Sequence, residues 1–311
     1  MDKVFYNQSS AERLGWKPNW FGVEHNDEQL IEAVKAWQKQ YDLTQDGLVG
    51  PMTYRRIWTE RQASISDYRP NSAVYDSSDN ACADQKYIVH NNKFFPIDWH
   101  KVVLWDEPSG LKINPGGYYD NAGKKERKPI VFVNHWDVCL SAESCAQILN
   151  KKKISVHFCI DNDGTIYQTL DTQHGGWHAG NYQGNKNGIG VEISNAYYTK
   201  YQDWYVENGF GERPLMENAQ VHGKTLTPFL WFYPAQIAAL KALWKAVHLG
   251  LGIPLDCPLD ANGELLLGVH EPSVKGKFHG FNNHYNYTTN KRDCAGLDLL
   301  TLLDEVKIEI E

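Results

Sequence analysis

Pro129-Ile130-Val131-Phe132-Val133-Asn134-His135 is an apolar, β-branched run that ends at an imidazole. It has the pattern of a strand covered on both faces. Ser141 follows, placed to cap a helix over 142–152, with Glu143 and Ser144 in its first turn. Residues 154–160 then read as a second buried strand. Asp161-Asn162-Asp163-Gly164 is a hairpin turn that returns the chain into Thr165-Ile166-Tyr167-Gln168. A third buried strand is expected over 188–193. Pro234 opens a helix with Ile237, Leu240, Leu243, Trp244 and Val247 on one face, and a last helix is expected over 297–308. Strands alternating with helices in this way predict an α/β domain.

Outward from this core, the chain divides into three sections. Residues 1–62 form a small helical unit, 63–84 a polar linker without periodicity, and 85–311 the α/β domain. In the first unit Leu30, Ile31, Val34, Trp37 and Tyr41 recur at three- and four-residue steps, which predicts a helix over 27–40. The turn Asp46-Gly47-Leu48-Val49-Gly50-Pro51 leads into another helix over 52–59, with Pro51 in its first turn. The aromatic, Gly/Pro-punctuated stretch 195–231 reads as an elaborated surface loop near a site.

Composition removes several classes of function. A formal net charge of -7 argues against a nucleic-acid binder and against adhesion to anionic membranes. No apolar run is long enough to cross a bilayer. The start Met1-Asp2-Lys3-Val4-Phe5-Tyr6 lacks the layout of a secretory signal, so the expected site of synthesis is a cytoplasm. Six cysteines are too few for a disulfide scaffold in 311 residues. Cys139 and Cys145 are expected to be reduced, although their spacing also permits a bridge.

Chemistry is concentrated at His135, His284 and Cys294. Two imidazoles and a thiolate suit tetrahedral Zn2+, and three protein ligands leave the fourth position open, as in catalytic sites. Asp293, one position earlier, is the alternative third ligand. The spacing alone does not establish the site.

Two resemblances extend this reading. Ala33-Val34-Lys35-Ala36-Trp37-Gln38-Lys39, with Asp46-Gly47-Leu48-Val49-Gly50-Pro51, Thr53 and Ile57, resembles the peptidoglycan-binding domain family of small three-helix modules. The larger domain carries five ordered anchors. They are Val133-Asn134-His135-Trp136, the segment 155–168, Gly176-Trp177-His178-Ala179-Gly180, the segment 187–193, and His284 with Arg292-Asp293-Cys294-Ala295-Gly296. Together these resemble the zinc-dependent type 2 N-acetylmuramoyl-L-alanine amidases, a family that includes the peptidoglycan recognition proteins.

The second resemblance implies a mixed central sheet flanked by helices, here preceded by the three-helix domain. It implies Zn2+ on His135, His284 and Cys294, because the family's Lys-x-Asp/Cys-Pro-Gly aligns best with Cys294 as ligand. Glu192 takes the acid–base role, and Arg292 or Lys291 supplies charge to the oxyanion. Trp177 and Asn187 are expected to contact substrate, and His157 and His178 to be substrate-contacting or structural. The implied reaction is cleavage of the amide between N-acetylmuramic acid and L-alanine by a zinc-activated water. Peptidoglycan is then both substrate and anchor for a monomeric enzyme. The expected setting is a phage endolysin waiting in the host cytoplasm, or a virion-borne lysin. The alternatives are a non-catalytic recognition protein and a cell-wall recycling amidase.

Overall fold

The computed structural model describes residues 2–65 and 85–311. The chain divides into two compact units, Met1–Tyr68 and Arg69–Glu311. From residue 66 onward the linker expected over 63–84 lies outside the described residues.

The first unit contains α1 (Lys3–Leu14), α2 (Glu28–Gln40) and α3 (Pro51–Ala63). Asp27 caps α2 by accepting from the N–H groups of Gln29 and Leu30, and Pro51 occupies the first position of α3. Leu14, Trp16, Leu30, Val34, Val49 and Tyr54 form its core. The 46–50 turn is held by two buried amides. Gln38 Oε1 accepts from Gly47 N–H (2.9 Å), and Asn7 Oδ1 accepts from Val49 N–H (2.9 Å). Gly47 is required here: its φ is +73°, and a Cβ would lie 2.6 Å from Ile31 Cγ2.

The second unit opens with the hairpin β1 (Lys86–His90) and β2 (Lys93–Ile97). Then follow β3 (Val102–Leu104), β4 (Val131–Trp136), α4 (Ala142–Lys152), β5 (Phe158–Ile160), β6 (Ile166–Gln168), α5 (Tyr182–Asn187) and β7 (Gly188–Ile193). An insertion holds α6 (Gln202–Glu207) and two short pairs, β8 (Leu215–Met216) with β11 (Phe229–Leu230) and β9 (Gln220–Val221) with β10 (Lys224–Thr225). The chain closes with α7 (Pro234–Leu251), α8 (Glu271–Val274), β12 (Gly280–Asn283) and α9 (Leu299–Ile308).

Six strands form one mixed sheet in the order β12-β4-β7-β5-β6-β3. The first four run parallel, and β6 with β3 runs the other way. The alternation of strand side chains sorts the two faces. Phe132 and Trp136 of β4, Ile189, Val191 and Ile193 of β7, and Phe158 and Ile160 of β5 share one apolar cluster with Leu240, Leu243, Trp244 and Val247 of α7. The opposite face therefore carries His135, Gly188, Gly190, Glu192 and Cys159.

Two expectations need correcting. Of residues 154–160 only Phe158–Ile160 pairs as a strand. The 195–231 segment is not a surface loop: Ala219, Val221, Leu226 and Phe229 enter the main core. Arg213 fastens it, donating to Ser194 O (2.9 Å), Trp231 O (2.8 Å) and Asn162 Oδ1. Its guanidinium lies between the rings of Tyr205 and Tyr233, at 4.2 and 4.4 Å.

Candidate active site

Parallel pairing builds the site. His135 near the end of β4 lies in register with Glu192 of β7, and Glu192 with Cys159 of β5. On the other side of β4, Asn283 of β12 is paired with Asn134, so His284 emerges beside His135. The chain then loops back, and Tyr285 N–H donates to Asp293 O (3.0 Å). That return brings the Asp293 carboxylate onto both imidazoles. Asp293 Oδ2 lies 2.8 Å from His284 Nδ1 and 3.2 Å from His135 Nδ1, and the two Nδ1 atoms are 2.8 Å apart.

The third member of the cluster is thus Asp293, which corrects the expectation of Cys294. Cys294 has no exposure and belongs to the apolar cluster with Phe281, Tyr285 and Leu297. Burial pushes its thiol well above the usual range, away from the thiolate a ligand needs. Asp293 is different. Burial opposes its charge, but contact with the two imidazoles holds its carboxyl well below the ordinary value.

The correction also separates the two candidate cations. Lys291 stands two residues before Asp293, and its charge acts on both His284 and Asp293. Arg292 is exposed. His279, five residues before His284, is exposed and outside the cluster.

Three ligand atoms this close, all buried, have too few protons to satisfy one another. Each neutral imidazole carries one N–H, and the ionised carboxylate carries none. His135 Nε2 lies 3.0 Å from His178 Nδ1, so a proton placed there leaves His135 Nδ1 with a bare lone pair. Burial, against the pull of Asp293, lowers the His284 pKa to about 4. The separations of 2.8–3.2 Å approach the edge of about 3.3 Å expected for a tetrahedron of ligands at ~2.0–2.1 Å from zinc. The group can hold a metal ion.

Two glycines allow the wall behind it. A Cβ on Gly190 would lie 2.7 Å from the His178 ring, and one on Gly176 would lie 2.9 Å from both His157 and His178. His178 packs edge-on against His135, with ring centroids 5.1 Å apart. It acts as a support for His135. His157, expected to contact substrate or to be structural, sits inside this wall. It is fully buried, its Nε2 donates to His174 O (3.0 Å), and its Nδ1 accepts from Gly190 N–H (3.0 Å). Burial lowers its pKa to about 3. Trp177 and Asn187 are not in the metal cluster but line a cleft of about 460 Å³. That cleft also contains Arg127, which motif reading missed because it precedes β4 in a lysine-rich stretch.

A second buried group, Asp137 with Cys139 and Cys145, has donor types that suit a metal. Its carboxylate is engaged, accepting from the N–H groups of Cys139 (2.8 Å) and Asn195 (2.9 Å) and from Ser194 Oγ–H (3.1 Å). Cys139 and Cys145 are both free, as expected.

Comparison with known families accords with this geometry. Residues 125–271 match the N-acetylmuramoyl-L-alanine amidase model. This segment belongs to the N-acetylmuramoyl-L-alanine amidase family. Residues 13–57 match the peptidoglycan-binding domain model. The chain is a peptidoglycan amidase with a peptidoglycan-binding module at its N-terminal end. No curated protein matches it in sequence.

Among solved structures it is similar to a mutant endolysin from Bacillus subtilis, at 19% identity and TM-score 0.36, covering 68% of this chain and 98% of that one. It is also similar to AmpDh3 from Pseudomonas aeruginosa in complex with anhydromuramic pentapeptide, at 17% identity and TM-score 0.37, covering 63% and 66%. For the hydrolase AmiA from Staphylococcus aureus the identity is 13% and the TM-score 0.39, covering 78% and 94%. Likeness at this level bears on neither substrate nor mechanism.

Proposed function

We propose that the amidase is zinc-dependent, with His135, His284 and Asp293 as ligands and Glu192 as the acid–base group. The observation that carries this is the buried, proton-poor triangle of donor atoms beside Glu192, its register neighbour across β4 and β7. Zinc, when bound, supplies Lewis acidity and lowers the pKa of a water in the open position towards about 7.

The remaining work falls to the chain. Glu192 is 5% exposed and lies on the same face as His135. It takes a proton from the attacking water and returns it to the departing L-alanine amine. Lys291 supplies positive charge to the oxygen that becomes anionic at the former carbonyl. His178, touching His135 Nε2, fixes the ring so that Nδ1 faces Asp293 and His284.

The biological reading is an endolysin-type enzyme acting on the intact wall. A wall-binding module in the same chain supports it, since tethering raises the effective concentration near the next bond. A recycling amidase working on soluble fragments has no use for that module. The test is mass spectrometry of products released from purified sacculi by zinc-loaded chain. Stem peptides with a free L-alanine amine, absent with Glu192→Gln, support the reading. Binding to sacculi without new amines contradicts it.

A further inference from the structure

The insertion between β7 and α7 touches the segment that carries Asp293 in two places. Met216 of β8 packs against Gly296, where a Cβ would come within 2.9 Å of its Sδ. At the tip of the β9–β10 hairpin, His222 Nε2 lies 3.0 Å from Lys291 O. A carbonyl oxygen only accepts, so Nε2 carries the proton and donates. The same ring stands edge-on to Tyr285, with centroids 6.1 Å apart, and Tyr285 N–H is the group that holds Asp293 O.

The hairpin is built to aim this ring. Val221 pairs with Lys224, which leaves the two-residue turn His222-Gly223 with φ of +52° and +69°. Turns of this hand favour Asn-Gly, and a histidine at the first position is uncommon. The turn is anchored by its own backbone, because His222 N–H donates to Leu267 O (2.8 Å). The residues on either side of Leu267 grip the start of the ligand loop: Asn286 Nδ2 donates to Leu266 O (3.2 Å) and Gly268 O (2.9 Å). His222 therefore joins both ends of the loop 286–291, by its backbone at one end and its ring at the other. The N–H groups of Asn290 and Lys291 bond locally, to Thr288 Oγ1 (3.3 Å) and Thr288 O (3.3 Å), which shapes the loop without fixing its place.

We propose that His222 is a positioning residue for the amidase reaction, holding the Lys291 main chain so that the side chain presents its charge to the developing oxyanion. This rests on the role proposed for Lys291, and it gives the insertion a part in the reaction. A charge that acts on the transition state works only where it is held, and a displacement of about 1 Å is costly. Asp293 has its own hold through Tyr285, so loss of the His222 bond weakens Lys291 and spares the metal ligands.

The test compares His222→Asn, His222→Gln, Lys291→Ala and the His222→Asn/Lys291→Ala double variant in the full, zinc-loaded chain, with a soluble muramoyl peptide as substrate. Asn suits the turn, but its amide is too short to reach Lys291 O. Gln places a donor at the reach of Nε2. His222→Asn should lower kcat by about 3–10-fold with KM and zinc content unchanged, and His222→Gln should recover most of the loss. Beside Lys291→Ala, the His222→Asn change should cost nothing more, because its effect runs through that side chain. Hydrogen exchange without substrate should be faster in His222→Asn over 288–293 and unchanged in the sheet. Unchanged kcat in His222→Asn, or losses that multiply in the double variant, overturns the positioning role and leaves Lys291 in place. Loss of zinc from His222→Asn overturns it too, since the hairpin then holds the ligands and not the lysine. Full activity of Lys291→Ala removes the role of Lys291 and the proposal together.

Discussion

Two buried groups on the site-bearing side of the sheet combine donors of the kind that bind metals, yet they are built differently. In the His135–His284–Asp293 cluster three donor atoms crowd together with too few protons to pair them. In the Asp137–Cys139–Cys145 group each carboxylate oxygen already accepts from the surrounding chain. The Cys145 thiol is pushed well above its usual range by burial, and it exchanges hydrogen bonds with Cys139 and Cys159. Donor identity is alike in the two regions. What separates a site from a packing solution is whether the donors are satisfied without a ligand.

The largest expected effect is at the first region. Glu192→Gln should reduce amide hydrolysis by about 10²–10⁴-fold while zinc content stays unchanged, measured by product release and elemental analysis. If activity survives, the acid–base group lies elsewhere.

His157 sharpens the contrast next, since it is a neutral imidazole satisfied by backbone. Its folded-state pKa of about 3 lies below the unfolded value of 6.5, so below 6.5 the unfolded chain binds the extra proton. Stability is complete above pH 6.5 and declines as pH falls towards 3, by about 4–5 kcal/mol from this group. Denaturant titrations of native and His157→Asn chains across that window should show a shallower pH dependence in the variant. Parallel slopes would contradict the assignment.

Asp137→Ala should destabilise the second unit by about 3 kcal/mol, roughly 6–12 °C in Tm, and leave zinc content alone. Loss of metal without loss of stability would reverse the roles of the two groups. Cys145→Ala should have the smallest effect, about 1 kcal/mol with no change in metal content.

Much of this was legible in the sequence, for physical reasons that can be named. Strands covered on both faces carry continuous apolar runs, so β4 and β7 could be read directly, and Ser141 marked the start of α4. β3 and β12 are short, and β12 (Gly-Phe-Asn-Asn) has no apolar pattern. Its asparagines are buried because the site needs their hydrogen bonds, as when Asn283 Nδ2 donates to Tyr285 Oη (3.1 Å).

His135, His284 and Glu192 could be placed from strand ends and motif order. The choice between Asp293 and Cys294 could not. Asp293 meets the imidazoles while Cys294 enters the apolar cluster, an arrangement held by the backbone hydrogen bond from Tyr285 N–H to Asp293 O, which joins residues far apart in the segment. A signal was present in Lys291, which stands two residues before Asp293, but the Ala295-Gly296 match shifted the alignment by one. Arg127 was hidden for another reason: its partners are backbone carbonyls, which leave no pattern in the sequence.

The most direct test is the zinc content of purified Asp293→Ala and Cys294→Ala chains after exhaustive dialysis, with folding verified by circular dichroism. The account predicts that Asp293→Ala loses its zinc while Cys294→Ala keeps about one ion per chain, in line with a three-ligand site. Retention of zinc by Asp293→Ala, with loss in Cys294→Ala, would contradict it and return the third ligand to the cysteine.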